Sequence, residues 1–180
     1  MTEKTIFIGL GGQGIISIGQ FWAFCAMQEG KKVSFFPFYG AEKRGGIARA
    51  NVIISDNEIA SPVISHADSV IVMSQSSIKT ARSSVKEKGL MLVNSTLVTD
   101  CPEDGNTRIV QIPATDIAHQ AGDARTANMV MLGALAVLTG SVSLAEPEKQ
   151  FDLFFPEGKK TSIPVNIQAL LAGKAAAKEI

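Results

Sequence analysis

Thr5-Ile6-Phe7-Ile8-Gly9-Leu10-Gly11-Gly12-Gln13-Gly14 decides how the rest of the chain is read. An apolar run stops at glycines, and from Ile15 to about Gln28 apolar residues recur at helical spacing. A strand, a glycine loop and a helix are therefore expected in direct succession. The loop satisfies G-x-G-x-x-G in the context where glycines let backbone approach an anion and a helix N-terminus aims its N–H groups at it. Gly9, Gly11, Gly12, Gln13 and Gly14 are accordingly candidate ligand-contacting residues. The steric alternative is a tight crossover that needs the same glycines and no ligand. A dinucleotide site usually adds an acidic residue about 20 positions on, for the ribose. Here Ser34-Phe35-Phe36-Pro37 supplies none, which demotes a free-standing NAD(P)- or nucleotide-binding protein to the alternative reading.

Outward from this unit, Val33 to Phe36 reads as a second strand closed by Pro37. Ile47 to Ser55 is β-branched enough for a third, with Asp56-Asn57 turning the chain into Glu58-Ile59-Ala60 as its hairpin partner. Ser69 to Met73 and Leu90 to Val93 are continuous apolar runs, the pattern of strands buried on both faces of a parallel sheet. A polar helix from about Gln75 to Lys88 is expected between them. Arg108 to Ile112 adds a strand, and Thr115 or Asp116 is expected to cap a short helix ending near Gly122. Two helices complete the chain, Thr126 to about Leu138 and Ile167 to about Lys178. The first is apolar nearly all round, so it lies in the core or under another subunit. The same choice holds for Phe21, Trp22, Phe24 and Met27. The fold class that follows is α/β: a single Rossmann-like domain over residues 1–180, with a mostly parallel sheet and a β-hairpin insertion.

Phe36-Pro37-Phe38-Tyr39-Gly40-Ala41-Glu42-Lys43-Arg44-Gly45-Gly46 is the second unusual stretch. It sets aromatic, acidic and basic groups among glycines at the end of a strand. The carboxyl ends of strands in an open parallel sheet are where ligands and partners meet, so this loop is expected beside the first. Tyr39, Gly40, Glu42, Lys43, Arg44, Gly45 and Gly46 join the candidate site. The plainer alternative is a surface loop whose Glu42 and Arg44 form a solvated pair worth little.

Composition narrows the classes. The 180 residues are 46% hydrophobic, 19% charged and 6% aromatic, and 17 basic residues balance 17 acidic ones. No net field favours nucleic acid or an anionic membrane, so neither is expected as a partner. Met1 to Lys4 leads straight into a strand, without the basic and apolar regions of a signal peptide, and a cytoplasmic location is expected. Cys25 and Cys101 are too few for an iron–sulfur cluster. His66 and His119 have no companion at metal-ligand spacing, so no metal site is expected on this chain. Asp68, Asp104, Asp116 and Asp123 lie near element ends, where capping accounts for them better than catalysis does.

The two glycine motifs, at this separation and followed by Ser61-Pro62, Asp68, Asn128 with Leu132-Gly133 and Asn166 with Ala169-Leu170, closely resemble the gamma subunits of 2-oxoacid:ferredoxin oxidoreductases. That resemblance covers essentially the whole chain. It implies a subunit without catalytic residues of its own, inside a complex that oxidatively decarboxylates a 2-oxoacid and releases an acyl-CoA. Thiamine diphosphate, magnesium and the iron–sulfur clusters would lie on partner subunits, with ferredoxin as acceptor. The partners implied are alpha and beta subunits, with a delta subunit as a further candidate. Gly122-Asp123-Ala124 is the nearest look-alike of the Gly-Asp-Gly that opens the diphosphate motif, and it lacks the third glycine. Coenzyme A at the glycine loops, with Arg44 or Lys43 as charge partner, is one expectation. The other is that the loops only shape the opening to a neighbour's active site. 2-Oxoglutarate is the substrate expected first, ahead of pyruvate, branched-chain oxoacids and indolepyruvate. A homodimer of the isolated chain, formed through the apolar helices, is a further expectation.

Overall fold

A computed structural model describes every residue except 40–45 and 104, and leaves out the side chain of Lys159. Strands β1 (Thr2–Leu10), β2 (Lys32–Tyr39), β3 (Ile47–Ser55), β4 (Ala67–Val72), β5 (Val85–Asn94) and β6 (Arg108–Ile112) form one sheet. Their order is β2-β3-β1-β4-β5-β6. β1, β4, β5 and β6 pair in parallel, and β3 runs antiparallel to both of its neighbours. The mixed α/β architecture with a mostly parallel sheet agrees with the sequence reading.

Helices α1 (Ile15–Gln28), α3 (Ala114–Gln120), α4 (Ala127–Thr139), α5 (Pro147–Phe154) and α6 (Ile163–Lys178) pack on one face, where Phe7, Ala50, Val52, Ile71 and Leu92 point. The other face, carrying Ile6, Ile8, Val70, Val72 and Met91, is covered by α2 (Ile78–Ser84) and the segments around Ile64 and Val98. The all-round apolar helix is therefore core. Every residue of α4 from Ala127 to Ala136 is buried, mainly against α6. Phe21 and Trp22 are fully buried too, whereas Met27 is 60% exposed at the end of α1. Since α4 is buried by its own chain, it offers no surface for the homodimer expected above.

Several boundaries differ from the sequence reading, each for a physical reason. The hairpin insertion is β2 with β3, not Ile47–Ser55 with Glu58-Ile59-Ala60. By Ser55 both edges of β3 are taken, by Thr2 on one side and Lys32 on the other, so a further partner has no edge to join. β2 runs through Pro37 to Tyr39, because at the sheet edge a missing N–H costs no ladder bond. The helix expected to Lys88 ends at Ser84, and β5 begins at once with an irregular register opposite Ala67 and Ser69. The helix α5 was not expected from the sequence. Its apolar signal is only Phe151, Phe154 and the adjoining Phe155: Phe151 and Phe154 pack on Phe21 and Phe24 of α1 with ring centroids 4.4 to 5.4 Å apart, and Phe155 packs on Phe151 and Phe154.

α3 starts at Ala114, so Thr115 and Asp116 fall inside its first turn instead of capping it. The cap comes from the end of β5. Fully buried Asn94 accepts from the backbone N–H of Ala114 (3.1 Å) and Thr115 (3.4 Å), and donates to the Thr115 hydroxyl (3.0 Å). Asn94→Ala strands these groups and is expected to cost about 2 kcal/mol in a urea melt. Asn94→Asp, which keeps the acceptor, should lose less.

Candidate functional site

β1 and β4 are neighbours whose connections leave in opposite directions: α1 carries the chain toward β2, and α2 carries it toward β5 and β6. The crevice between their carboxyl ends is the switch point at which open α/β sheets bind ligands. Gln13 spans that crevice. Its Oε1 accepts from the N–H of Leu10 (2.7 Å) at the end of β1, and its Nε2 donates to the carbonyl of Met73 (2.9 Å) just past β4. The carboxamide works as a strut between the two strand ends.

Sterics explain the glycines on either side. A Cβ at Gly9 would lie 2.5 Å from Gln13 Oε1 and 2.9 Å from the Met73 Cβ. Gly14, the N-cap of α1, has φ of 71°, and a Cβ there would meet Asn128 Nδ2 at 2.2 Å. Only glycine satisfies both the left-handed backbone and the contact. Gly12, with φ of 94°, has open space where its Cβ would be. No side chain caps α1, so the loop leaves helix N–H groups without a side-chain acceptor.

The described end of the second stretch, Gly46 and Ile47, meets the first loop. Antiparallel pairing sets Leu10 opposite Ile47, and the N–H of Gly11 donates to the carbonyl of Gly46 at 3.0 Å. Tyr39 ends β2 and is 73% exposed. Gly40, Glu42, Lys43, Arg44 and Gly45 lie outside the described residues.

Next to the switch point is a cavity of about 150 Å³ lined by Gly12, Gln13, Leu97, Thr115, Arg125 and Asn128, among others. The sequence reading missed Leu97, Thr115 and Arg125 as site residues, because they come from three separate places, the connection after β5, the first turn of α3 and the turn before α4, which only the tertiary fold brings together. Arg125 donates through its backbone N–H and Nε to Asp123, and this pairing pulls the Asp123 carboxyl below the ordinary range. Asp123 is thus the cap of the turn before α4, which gives Gly122-Asp123-Ala124 a structural role in place of a diphosphate-binding one.

The lining is suited to holding an anion: backbone N–H groups, two carboxamides, a hydroxyl and one guanidinium. Among the described residues of the lining there is no acid–base pair. Cys25 is sealed in the core, where burial pushes its thiol well up, so it is no nucleophile. Cys25 and Cys101 pack on opposite faces of the sheet, an arrangement that does not fit an iron–sulfur cluster. Among the described residues, no group of three or more His, Cys, Asp and Glu is placed to hold a metal ion, and His66 and His119 are exposed. No described helix is long and apolar enough to cross a membrane.

Comparison with known proteins gives a consistent result. Residues 4–176 match the family described as pyruvate ferredoxin/flavodoxin oxidoreductase. The chain is 36% identical over 172 residues to the ketoisovalerate oxidoreductase subunit VorA of Methanothermobacter thermautotrophicus, covering 95% of this chain but 35% of that one. It thus spans about a third of the length of that relative. The 2-oxoglutarate synthase subunit KorC of Methanothermobacter marburgensis is 34% identical, with 97% of this chain and 96% of that one covered. Among solved structures, the gamma subunit of a keto/oxoacid ferredoxin oxidoreductase from Geobacter sulfurreducens superposes with a TM-score of 0.84 at 32% identity, over 99% of both chains. The 2-oxoglutarate:ferredoxin oxidoreductase of Magnetococcus marinus, solved with 2-oxoglutarate, coenzyme A and succinyl-CoA bound, superposes with a TM-score of 0.85 at 27% identity. The match covers 99% of this chain and 31% of that one.

Proposed function

The chain belongs to the pyruvate ferredoxin/flavodoxin oxidoreductase family, and from that premise we propose that it is the gamma-type subunit of a 2-oxoacid:ferredoxin oxidoreductase. The observation that carries this reading is the end-to-end match to a gamma subunit, over 99% of both chains. The enzyme would decarboxylate a 2-oxoacid oxidatively, pass the electrons through iron–sulfur clusters to ferredoxin and release an acyl-CoA. Thiamine diphosphate, bound on the alpha and beta subunits, supplies the carbon–carbon bond cleavage. 2-Oxoglutarate is the substrate we propose first, in keeping with the KorC relative and the Magnetococcus enzyme.

This chain's own contribution is binding and positioning. The helix N-terminus behind Gly14, the carboxamides of Gln13 and Asn128, and the basic residues Lys43, Arg44 and Arg125 together suit the phosphates of coenzyme A. Gln13 would hold the loop rigid at the switch point while coenzyme A approaches a partner's active site. The free-standing NAD(P)-binding alternative lacks the acidic residue at the end of β2 that a ribose would need.

Two measurements test the reading. The tagged chain, recovered anaerobically from its native cells, should bring down larger subunits whose eluate reduces a viologen dye with a 2-oxoacid and coenzyme A. Recovery of the chain alone and inactive, where its partners are expressed, defeats the subunit reading. In the active complex Arg44→Ala should raise the coenzyme A requirement roughly ten- to a hundredfold, the value of a charge-assisted phosphate contact of about 1.5–3 kcal/mol. Unchanged coenzyme A kinetics, with the complex intact, would leave the loop as a partner contact only.

A further inference from the structure

The two sheet faces are unequally covered, and the difference is greatest at the β2–β3 end. There Phe36 and Phe38 alternate on β2 with ring centroids 4.6 Å apart. With Tyr39, Ile47 and Val63 they remain 38% to 73% exposed. These residues surround a groove of about 380 Å³. Apolar exposure concentrated in this way marks interaction surfaces on soluble proteins.

Arg49 lines the same groove, directly across the strand pair from Phe38. Its guanidinium carbon sits 6.0 Å from the Phe38 ring centroid. Nε donates to the carboxamide oxygen of buried Asn51 at 2.8 Å, and Nη1 makes a long 3.5 Å contact to the Ser84 hydroxyl. Among the described residues no carboxylate pairs with it. Half burial lowers its pKa, and no acidic neighbour raises it back. A guanidinium that has already lost part of its hydration gains more from a carboxylate than one on an open surface does.

We propose that this groove docks an acidic segment of a partner subunit, whose carboxylate pairs with Arg49 while a flanking apolar side chain fills the space between Phe36, Phe38 and Val63. The inference rests on the subunit reading above and names the surface that reading leaves open. Charge decides against a second copy of this chain as the occupant: the described lining residues include no acid, so two copies meeting here would oppose arginine to arginine. Extent decides against a small acid, because the exposed rings run along two strands and the segment from Pro62 to Ile64. A metabolite would leave Tyr39 or Val63 bare.

The test uses tagged chain expressed in cells that make the larger subunits, recovered anaerobically, with the yield of those subunits measured per tagged chain. Val63→Asp adds repulsion at a side chain that is itself 70% exposed and lies outside the core, and Arg49→Glu inverts the charge. Both are expected to lower the yield of larger subunits at least tenfold, with the Val63→Asp chain melting as the parent does. Leu171→Asp, on the exposed side of α6, should leave the yield unchanged. Parental yield from Val63→Asp and Arg49→Glu overturns the docking site while the subunit reading stands. If the unaltered chain brings down no larger subunits, both fall. If Val63→Asp splits a dimer of the isolated chain but keeps the parental yield, the occupant is a second copy and the proposal is overturned.

Discussion

Replacing Gly173 by alanine is expected to lower the thermal midpoint of the isolated chain by roughly 6–12 °C, from a loss of about 3 kcal/mol. A Cβ there would lie 1.9 Å from the carbonyl oxygen of Val130 and 2.6 Å from its carbonyl carbon. The partner glycine does the same in reverse: a Cβ at Gly133 would lie 2.0 Å from the carbonyl oxygen of Leu170 and 3.0 Å from the N–H nitrogen of Lys174. Two helices thus cross with each glycine against the other's backbone. Backbone cannot rotate away as a side chain can, so the helices must separate and the core between them loosens along its length. Gly133→Ala should be about as damaging. The double variant should cost much less than the sum, because one separation relieves both clashes. Differential scanning calorimetry of the four proteins checks the claim, and an unchanged midpoint for Gly173→Ala would refute it.

Gln13→Glu is expected to be about 2 kcal/mol less stable than the parent at pH 7, with much of that loss recovered near pH 4. The carboxamide accepts from Leu10 N–H and donates to the carbonyl of Met73. An ionised carboxylate keeps the first bond but sets its second oxygen, with no proton, against a carbonyl oxygen. A protonated carboxyl can restore the donor. The glutamate would therefore have a folded-state pKa above its unfolded value near 4.3. Its contribution is fully present below the unfolded value and is lost as pH rises through the folded one. Gln13→Ala loses both bonds and should show a deficit that barely changes with pH. Urea midpoints at the two pH values separate these cases. In the assembled enzyme both variants should also raise the coenzyme A requirement, because the strut holds the loop proposed to meet it.

The sequence located most elements within a few residues, and where it failed the failures have a common origin. Thr5 to Gly14 read correctly because strand, loop and helix there follow from local pattern alone. Arg108 to Ile112 was legible for the same reason, its ends marked by polar residues and Pro113. By contrast, the partner of β3 depends on which edges other strands have already taken. Helix α5 depends on Phe151 and Phe154 finding Phe21 and Phe24 of α1. Asn94 as the cap of α3 depends on β5 ending where α3 begins.

The candidate site divides in the same way. Gly9, Gly14 and Gln13 were legible as a loop, but the loop could not reveal that Gln13 braces the ends of two strands about sixty residues apart in sequence. Leu97, Thr115, Arg125 and Asn128 reach the cavity from four different positions along the chain, so no local spacing announces them.

By itself, then, the sequence determined the α/β class, the glycine loops, the absence of a charge bias toward nucleic acid, and a family resemblance carried by short motifs. Each of these is written in residues close together or in composition. Tertiary structure alone decided that α4 lies in the core, that Gly133 and Gly173 are a paired crossing, and that Arg49 stands beside exposed aromatic rings with no carboxylate paired to it among the described residues. Those facts concern what distant segments place around a residue. Burial, close approach and unpaired charge are properties of that surrounding, and the surrounding exists only once the sheet order is set.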